Sequence, residues 1–152
     1  SAGDVEIHFA GAEQGLERRM VPQAGYPLST VPAIGLSRSL HLDLLRFPWR
    51  LFRGILRSLK LLLRYKPHLV ICTGGYVSGP IGLCARIVGC PLVLHESNRR
   101  AGLTTRILSR FSRQVYLGFP STAREVGGQK RRVVGNHPVG GRSRAGESSS
   151  VD

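Results

Sequence analysis

Two short runs of unbroken apolar residues constrain this chain more than any other feature: Leu69-Val70-Ile71-Cys72 and Pro91-Leu92-Val93-Leu94. Each is too short for a helix and shows no polar alternation, the pattern of a strand buried on both faces. Between them lie the glycine-rich Thr73-Gly74-Gly75-Tyr76-Val77-Ser78-Gly79-Pro80 and a helical stretch over residues 81–88. The rhythm continues with a helix over 102–111, a strand over 114–117 and a last strand over 132–134. Apolar strands alternating with helices predict an α/β fold, a parallel sheet covered on both faces.

The first half is less rhythmic. Val5-Glu6-Ile7-His8-Phe9 alternates apolar and polar and predicts a strand that ends at Gly11. A short helix follows over 13–23, closed by Pro22 and Gly25, then a strand over 26–31 and a loop over 32–40. Residues 42–65 form the longest helical pattern, and Pro48 splits or kinks it. Counted at about 100° per residue from Arg50, Arg53, Arg57, Lys60 and Arg64 fall with it inside a wedge of about 80°. Leu51, Phe52, Ile55, Leu56, Leu59, Leu62 and Leu63 lie opposite, and Leu61 falls on the basic side. Residues 140–152 are small and polar and read as a disordered tail, leaving 1–139 as one domain.

Charge narrows the partners. The 152 residues carry a net +13, unevenly spread: −2 over 1–35, +7 over 36–70, zero over 71–98 and +8 over 99–152. Such a balance suits an anionic partner: nucleic acid, lipid headgroups or a phosphorylated substrate. Cys72, Cys84 and Cys90 have no CxxC spacing and sit in apolar segments, which points to buried free thiols in a reducing compartment. No apolar run approaches the ~20 residues of a membrane-spanning helix. His8, His41, His68 and His137 have no ligand spacing and no HExxH occurs, so no metal site and no cofactor is expected.

Two motifs fall at carboxyl ends of strands, where open α/β sheets bind ligands. Gly74, Gly75, Tyr76, Ser78 and Gly79 join a strand to a helix that begins near Pro80. Glycine lets the backbone approach a phosphate, free N–H groups at the helix start point at it, and Ser78 adds a donor. The same turn also serves as a ligand-free connection. His95-Glu96-Ser97-Asn98 can bind sugar hydroxyls or act as acid or base. Alternatively His95 is a core histidine and Asn98 a helix cap. The basic helix has three readings: packing on the sheet with solvated arginines, lying on an anionic membrane, or binding nucleic acid. Leu45, Trp49 and Phe52 beside Arg46, Arg50 and Arg53 look like a membrane patch rimmed by cations.

The motifs together resemble the MurG family. Glu17-Arg18-Arg19-Met20-Val21-Pro22, Tyr65-Lys66-Pro67, Gly74-Gly75-Tyr76-Val77-Ser78-Gly79-Pro80, His95-Glu96-Ser97-Asn98, Gly102-Leu103-Thr104, Gly118-Phe119-Pro120 and Gly135-Asn136 occur in that order, over residues 4–139. The resemblance implies the N-terminal half of a GT-B glycosyltransferase, with a Rossmann-like sheet. It also implies the family's reaction: metal-independent, inverting transfer of GlcNAc from UDP-GlcNAc to lipid I, the undecaprenyl-pyrophosphoryl-MurNAc-pentapeptide, giving lipid II for peptidoglycan. Gly74, Gly75, Tyr76, Ser78 and Gly79 match the loop for the acceptor pyrophosphate. His95, Glu96 and Tyr76 become cleft candidates, Asn98, Asn136 and Arg142 donor-side contacts. Leu45, Trp49, Phe52, Ile55, Arg46, Arg50, Arg53 and Arg57 become the membrane patch, on the cytoplasmic face of the plasma membrane or, in a plastid-bearing eukaryote, in the plastid.

Departures accompany the likeness. The family's first strand and its GGTGGH loop with the proposed base would precede Ser1, and its UDP-binding C-terminal domain would follow, so this chain alone is expected to be inactive. Ser97 replaces a usual Gln, Thr105 stands where Asn is common, and His137 interrupts the GNPVR motif. Two rivals remain: an acceptor-side subunit of a split lipid-linked GlcNAc transferase, and a basic nucleic-acid-binding module. The second has only the charge in its favour, and no nucleic-acid partner is expected.

Overall fold

The computed structural model describes residues 5–32, 43–127 and 130–135, with backbone alone over 43–47. The elements are β1 Phe9–Ala12, α1 Glu17–Gln23, β2 Leu28–Val31, α2 Asp43–Tyr65, β3 Val70–Cys72, α3 Ser78–Ile87, β4 Leu92–Glu96, α4 Leu103–Leu108, β5 Gln114–Leu117, a 3-10 turn Pro120–Arg124 and β6 Arg131–Val133. Every strand pairing is parallel, as the alternation of apolar strands and helices predicts. The strands form two sheets: β1 with β2, and β3-β4-β5-β6 in sequence order. Asn136, Arg142, the inserted His137 and the tail over 140–152 lie outside the described residues.

The four-stranded sheet holds the core. Along β4 the side chains alternate, with Leu92, Leu94 and Glu96 buried and Val93 and His95 half-buried. Val70 and Cys72 of β3 and Val115 and Leu117 of β5 share the buried face and meet Cys84 and Ala85 of α3 and Leu108 of α4. The opposite face, with Ile71, Val93, His95 and Tyr116, is more open among the described residues. Helix α3 lies close to α4 because Gly82 has no side chain: a Cβ there would stand 2.5 Å from Leu108 Cδ1. Helix α2 packs along Gly54, Ser58 and Leu62 and runs beside α3.

Several element bounds differ from those read in the sequence. The first strand is at Phe9–Ala12, not 5–9. Alternation marks residues able to form a strand, but the ladder needs a partner, and β2 offers one only from Leu28, opposite Phe9. Val5 is left 82% exposed. Helix α1 starts at Glu17 rather than 13, and the Glu17 carboxylate accepts from the Ala12 N–H at 2.8 Å. Pro48 lies inside one continuous helix, near its start, where the N–H that proline lacks removes a single early bond. Helix α3 starts at Ser78, ahead of the expected 81. Helix α4 ends at Leu108, short of 111, and the Ser109 hydroxyl turns back to the Arg106 carbonyl at 2.9 Å.

Candidate functional site

Three loops converge at the carboxyl ends of β3, β4 and β5. The first is the glycine turn. Gly74 and Gly75 have φ of +90° and +78°, a region costly to any residue with a Cβ, which explains the pair. The Ser78 hydroxyl donates to the Gly74 carbonyl and closes the turn. Its proton is therefore engaged inside the loop rather than held out to a phosphate, which corrects the donor role read from the sequence. Helix α3 follows at once, so the N–H groups of its first residues face the turn; Tyr76 is exposed beside them.

The second loop hangs on Glu96. This side chain is 1% exposed, and its carboxylate accepts four bonds. Oε1 takes the backbone N–H of Asn98 (3.1 Å) and its side-chain amide (2.9 Å). Oε2 takes the Gly102 N–H (3.3 Å) and the Thr105 hydroxyl (2.7 Å). A buried carboxylate needs this many donors to replace its water. Glu96 thus braces the loop from below and presents no free oxygen to a substrate. From the third loop, the Glu125 carboxylate takes the Ala101 N–H at 3.1 Å. The Thr122 hydroxyl lies 2.9 Å from the Asn98 carbonyl and 3.0 Å from that of Arg99. Arg99 lays its guanidinium over the Phe119 ring, 5.2 Å from the centroid.

The structure splits the quartet. Glu96 points to the helix-covered face; His95, one residue earlier, points to the other and is paired in register with Tyr116. Asn98 is exposed, with its side-chain NH2 turned to Glu96 and its Oδ1 left over. It is not the helix cap, since α4 is capped at Gly102. Sequence reasoning missed the bracing Thr105, Thr122 and Glu125. Thr105 carried a signal, a hydroxyl where the resembled family has an amide donor. Thr122 and Glu125 carried none, because their partners lie more than twenty residues away.

Helix α2 corrects the picture of two opposed faces. With Gly54, Ser58 and Leu62 inward, Trp49, Phe52, Leu56 and Leu63 share an arc of about 60° roughly 150° away. They are 50–63% exposed, and the Trp49 and Phe52 rings stack at 5.9 Å. Arg53, Arg57, Lys60 and Arg64 occupy the next arc of about 60°. Ile55 packs against the core and so falls outside this stripe; Arg50 is half-buried. Leu45 and Arg46 lie in the backbone-only turns. No helix among the described residues is long and apolar enough to cross a membrane.

The three thiols are free. Burial pushes the Cys72 thiol up to about 11, partly offset by its contact with Ser78, and raises Cys84 and Cys90 as well. These are unreactive packing residues. No three metal-ligating side chains cluster among the described residues.

Comparisons with known proteins bear on the family and the fold. The family model described as the glycosyltransferase family 28 N-terminal domain matches residues 1–117. A protein of Desulfitobacterium hafniense, named UDP-N-acetylglucosamine–N-acetylmuramyl-(pentapeptide) pyrophosphoryl-undecaprenol N-acetylglucosamine transferase, is 41% identical over 136 residues, 90% of this chain and 37% of its own. A protein of the same name from Acidithiobacillus ferrooxidans is 44% identical over 119 residues, 78% of this chain and 33% of its own. The crystal structure of Acinetobacter baumannii MurG superposes with a TM-score of 0.70 at 26% identity, over 92% of this chain and 38% of that one. The chain therefore spans little more than a third of the relatives it matches.

Proposed function

The chain belongs to glycosyltransferase family 28, through that family's N-terminal domain, and from this premise we propose that it is the acceptor side of a GT-B transferase that moves GlcNAc from UDP-GlcNAc to lipid I. The observation that carries the reading is a sorting of polarity between two adjacent loops. The glycine turn offers backbone N–H groups and the start of α3, which suit a pyrophosphate. The 97–102 loop spends its N–H groups at Asn98, Ala101 and Gly102 on the carboxylates of buried Glu96 and half-buried Glu125. It is left with the side-chain oxygen of exposed Asn98, an acceptor that suits a sugar hydroxyl. A lipid-linked pyrophosphoryl sugar presents those two chemistries side by side. Gly74, Gly75 and Gly79 approach the pyrophosphate, Tyr76 flanks it, Asn98 meets a sugar, and Glu96 and Ser78 hold the loops in place. His95, on the far face, is not assigned a chemical step. Asn136 and Arg142 stay as donor-side proposals from the resemblance.

The test joins this chain to the remainder of the Desulfitobacterium hafniense relative and measures transfer of labelled GlcNAc to a lipid I analogue. Transfer is expected. Gly75→Val lowers kcat/KM for the acceptor at least tenfold with the fold intact by circular dichroism, and Asn98→Ala, which also takes one donor from Glu96, lowers turnover per folded molecule at a temperature where both proteins are folded. Wild-type kinetics in both variants overturns the reading.

The same reading places the domain peripherally on the cytoplasmic face of the membrane, through the α2 stripe. Each cation near an anionic surface contributes ~1 kcal/mol. Trp49 and Phe52 add an apolar share that salt does not screen. A nucleic-acid module explains the cations but not the exposed apolar arc beside them. The relatives compared above are bacterial, and a plastid setting finds no support among them.

A further inference from the structure

A cavity stands at the other end of the sheet, away from the three loops. It has a volume of about 490 Å³ and is lined by Arg86, Arg110 and Arg113 with Cys90, Pro91, Leu92, Phe111 and Gly89. These residues come from the end of α3, the start of β4 and the segment between α4 and β5. The volume lies within the range of small-molecule sites. Three arginines line this concavity, and among the described residues no acidic residue does.

Helix electrostatics accounts for part of this. Arg86 lies in the last turn of α3, where a cation complements the helix carbonyls. That argument does not reach Arg113, which follows α4 by several residues and whose backbone N–H donates to the Leu92 carbonyl at 2.7 Å as β5 begins. The same strand pairing that builds the sheet carries Arg113 to the cavity. The Cys90 thiol donates to the Pro67 carbonyl at 3.1 Å, which fixes the end of α2, with Lys66 next to Pro67, against the same end of the sheet. The wall is apolar: Pro91, Leu92 and Phe111 can take a carbon skeleton while the arginines take oxygens.

The geometry points to a second, non-catalytic anion site here, for a phosphate or pyrophosphate group carried on a small organic molecule. Planar guanidinium groups bind phosphate oxygens in pairs, and three around one cavity match an anion of more than one charge. The site does not depend on the acceptor reading, because it uses none of its residues.

The probe is inorganic pyrophosphate, titrated calorimetrically into this chain at low ionic strength. The titration is made in the Gly75→Val background, kept in every variant below, so that the glycine turn takes no share, and saturable one-site binding is expected. It weakens at least tenfold in the Arg110→Ala, Arg113→Ala double variant and partly recovers with lysine at both positions. Both side chains are exposed, so the variants keep the fold. The Arg53→Ala, Arg57→Ala variant on α2 binds as before. Absence of saturable binding, or equal weakening by both double variants, overturns the site, since either result reduces it to diffuse positive charge. A second arm separates the sources of the phosphate. Vesicles of phosphatidylglycerol are offered to the Arg53→Ala, Arg57→Ala protein with and without the Arg110, Arg113 changes. A further loss of vesicle binding assigns the site to a lipid phosphate; no further loss assigns it to a soluble one.

Discussion

The two sheets of this chain use the same ladder and reach opposite results. In β1–β2 four residues pair in parallel register, Phe9 with Leu28 through Ala12 with Val31. In β4–β5 four residues pair just as regularly, Val93 with Gln114 through Glu96 with Leu117. Yet the buried apolar cluster runs from Leu62 to Val126 and takes nothing from the first sheet. Helix α1 buries no residue at all, and Met20 and Leu16 stay 60% and 80% exposed. Val31 is the one fully buried apolar side chain of that first unit. Backbone pairing therefore does not make a core. What differs is the covering layer: α3 lies over β3 and β4 and α4 over β4, with Cys84, Ala85 and Leu108 buried against the sheet, while the seven-residue α1 lies over its pair and buries none of its residues.

The sharpest test of this contrast is Leu94→Ala. Leu94 is 2% exposed in the middle of β4, and its loss leaves a cavity between the sheet and its helices. Urea denaturation should show a loss of about 2–5 kcal/mol. Next is Glu96→Gln. An amide offers one acceptor oxygen where the carboxylate has two, and its NH2 then faces either the Asn98 donors or those of Gly102 and Thr105. The expected loss is about 1–3 kcal/mol, together with faster amide exchange at residues 98 and 102. The smallest effect is assigned to Met20→Ala on α1, under about 0.5 kcal/mol by the same denaturation. A loss at Met20 equal to that at Leu94 breaks the contrast.

The second sheet is legible because β3 and the start of β4 are continuously apolar and its turns carry glycine, and residues 114–117 match β5 end to end. The first strand was misplaced because alternation cannot tell which residues find a partner, and the partner lies nineteen positions on, Phe9 to Leu28. At the site, the glycine turn was legible as backbone that must go left-handed. The quartet was not legible as a unit. Adjacent residues in a strand face opposite ways, so His95 and Glu96 could never meet, and Glu96 finds its partners forward in the chain instead. The face of α2 was half legible. Periodicity separates apolar from basic arcs, but which part of the apolar arc is buried was set by Gly54 and Ser58, small residues that no hydropathy pattern marks.

The bonds to Glu96 also bear on the order in which the molecule assembles. Its partners lie two, six and nine residues ahead, whereas Thr122 reaches back twenty-four residues to Asn98. Closing the nine-residue loop loses about 0.9 kcal/mol less chain entropy than closing the longer one. Loop-closure entropy thus favours the knot around Glu96 tying first, with the 3-10 turn docking on a loop whose shape is already set.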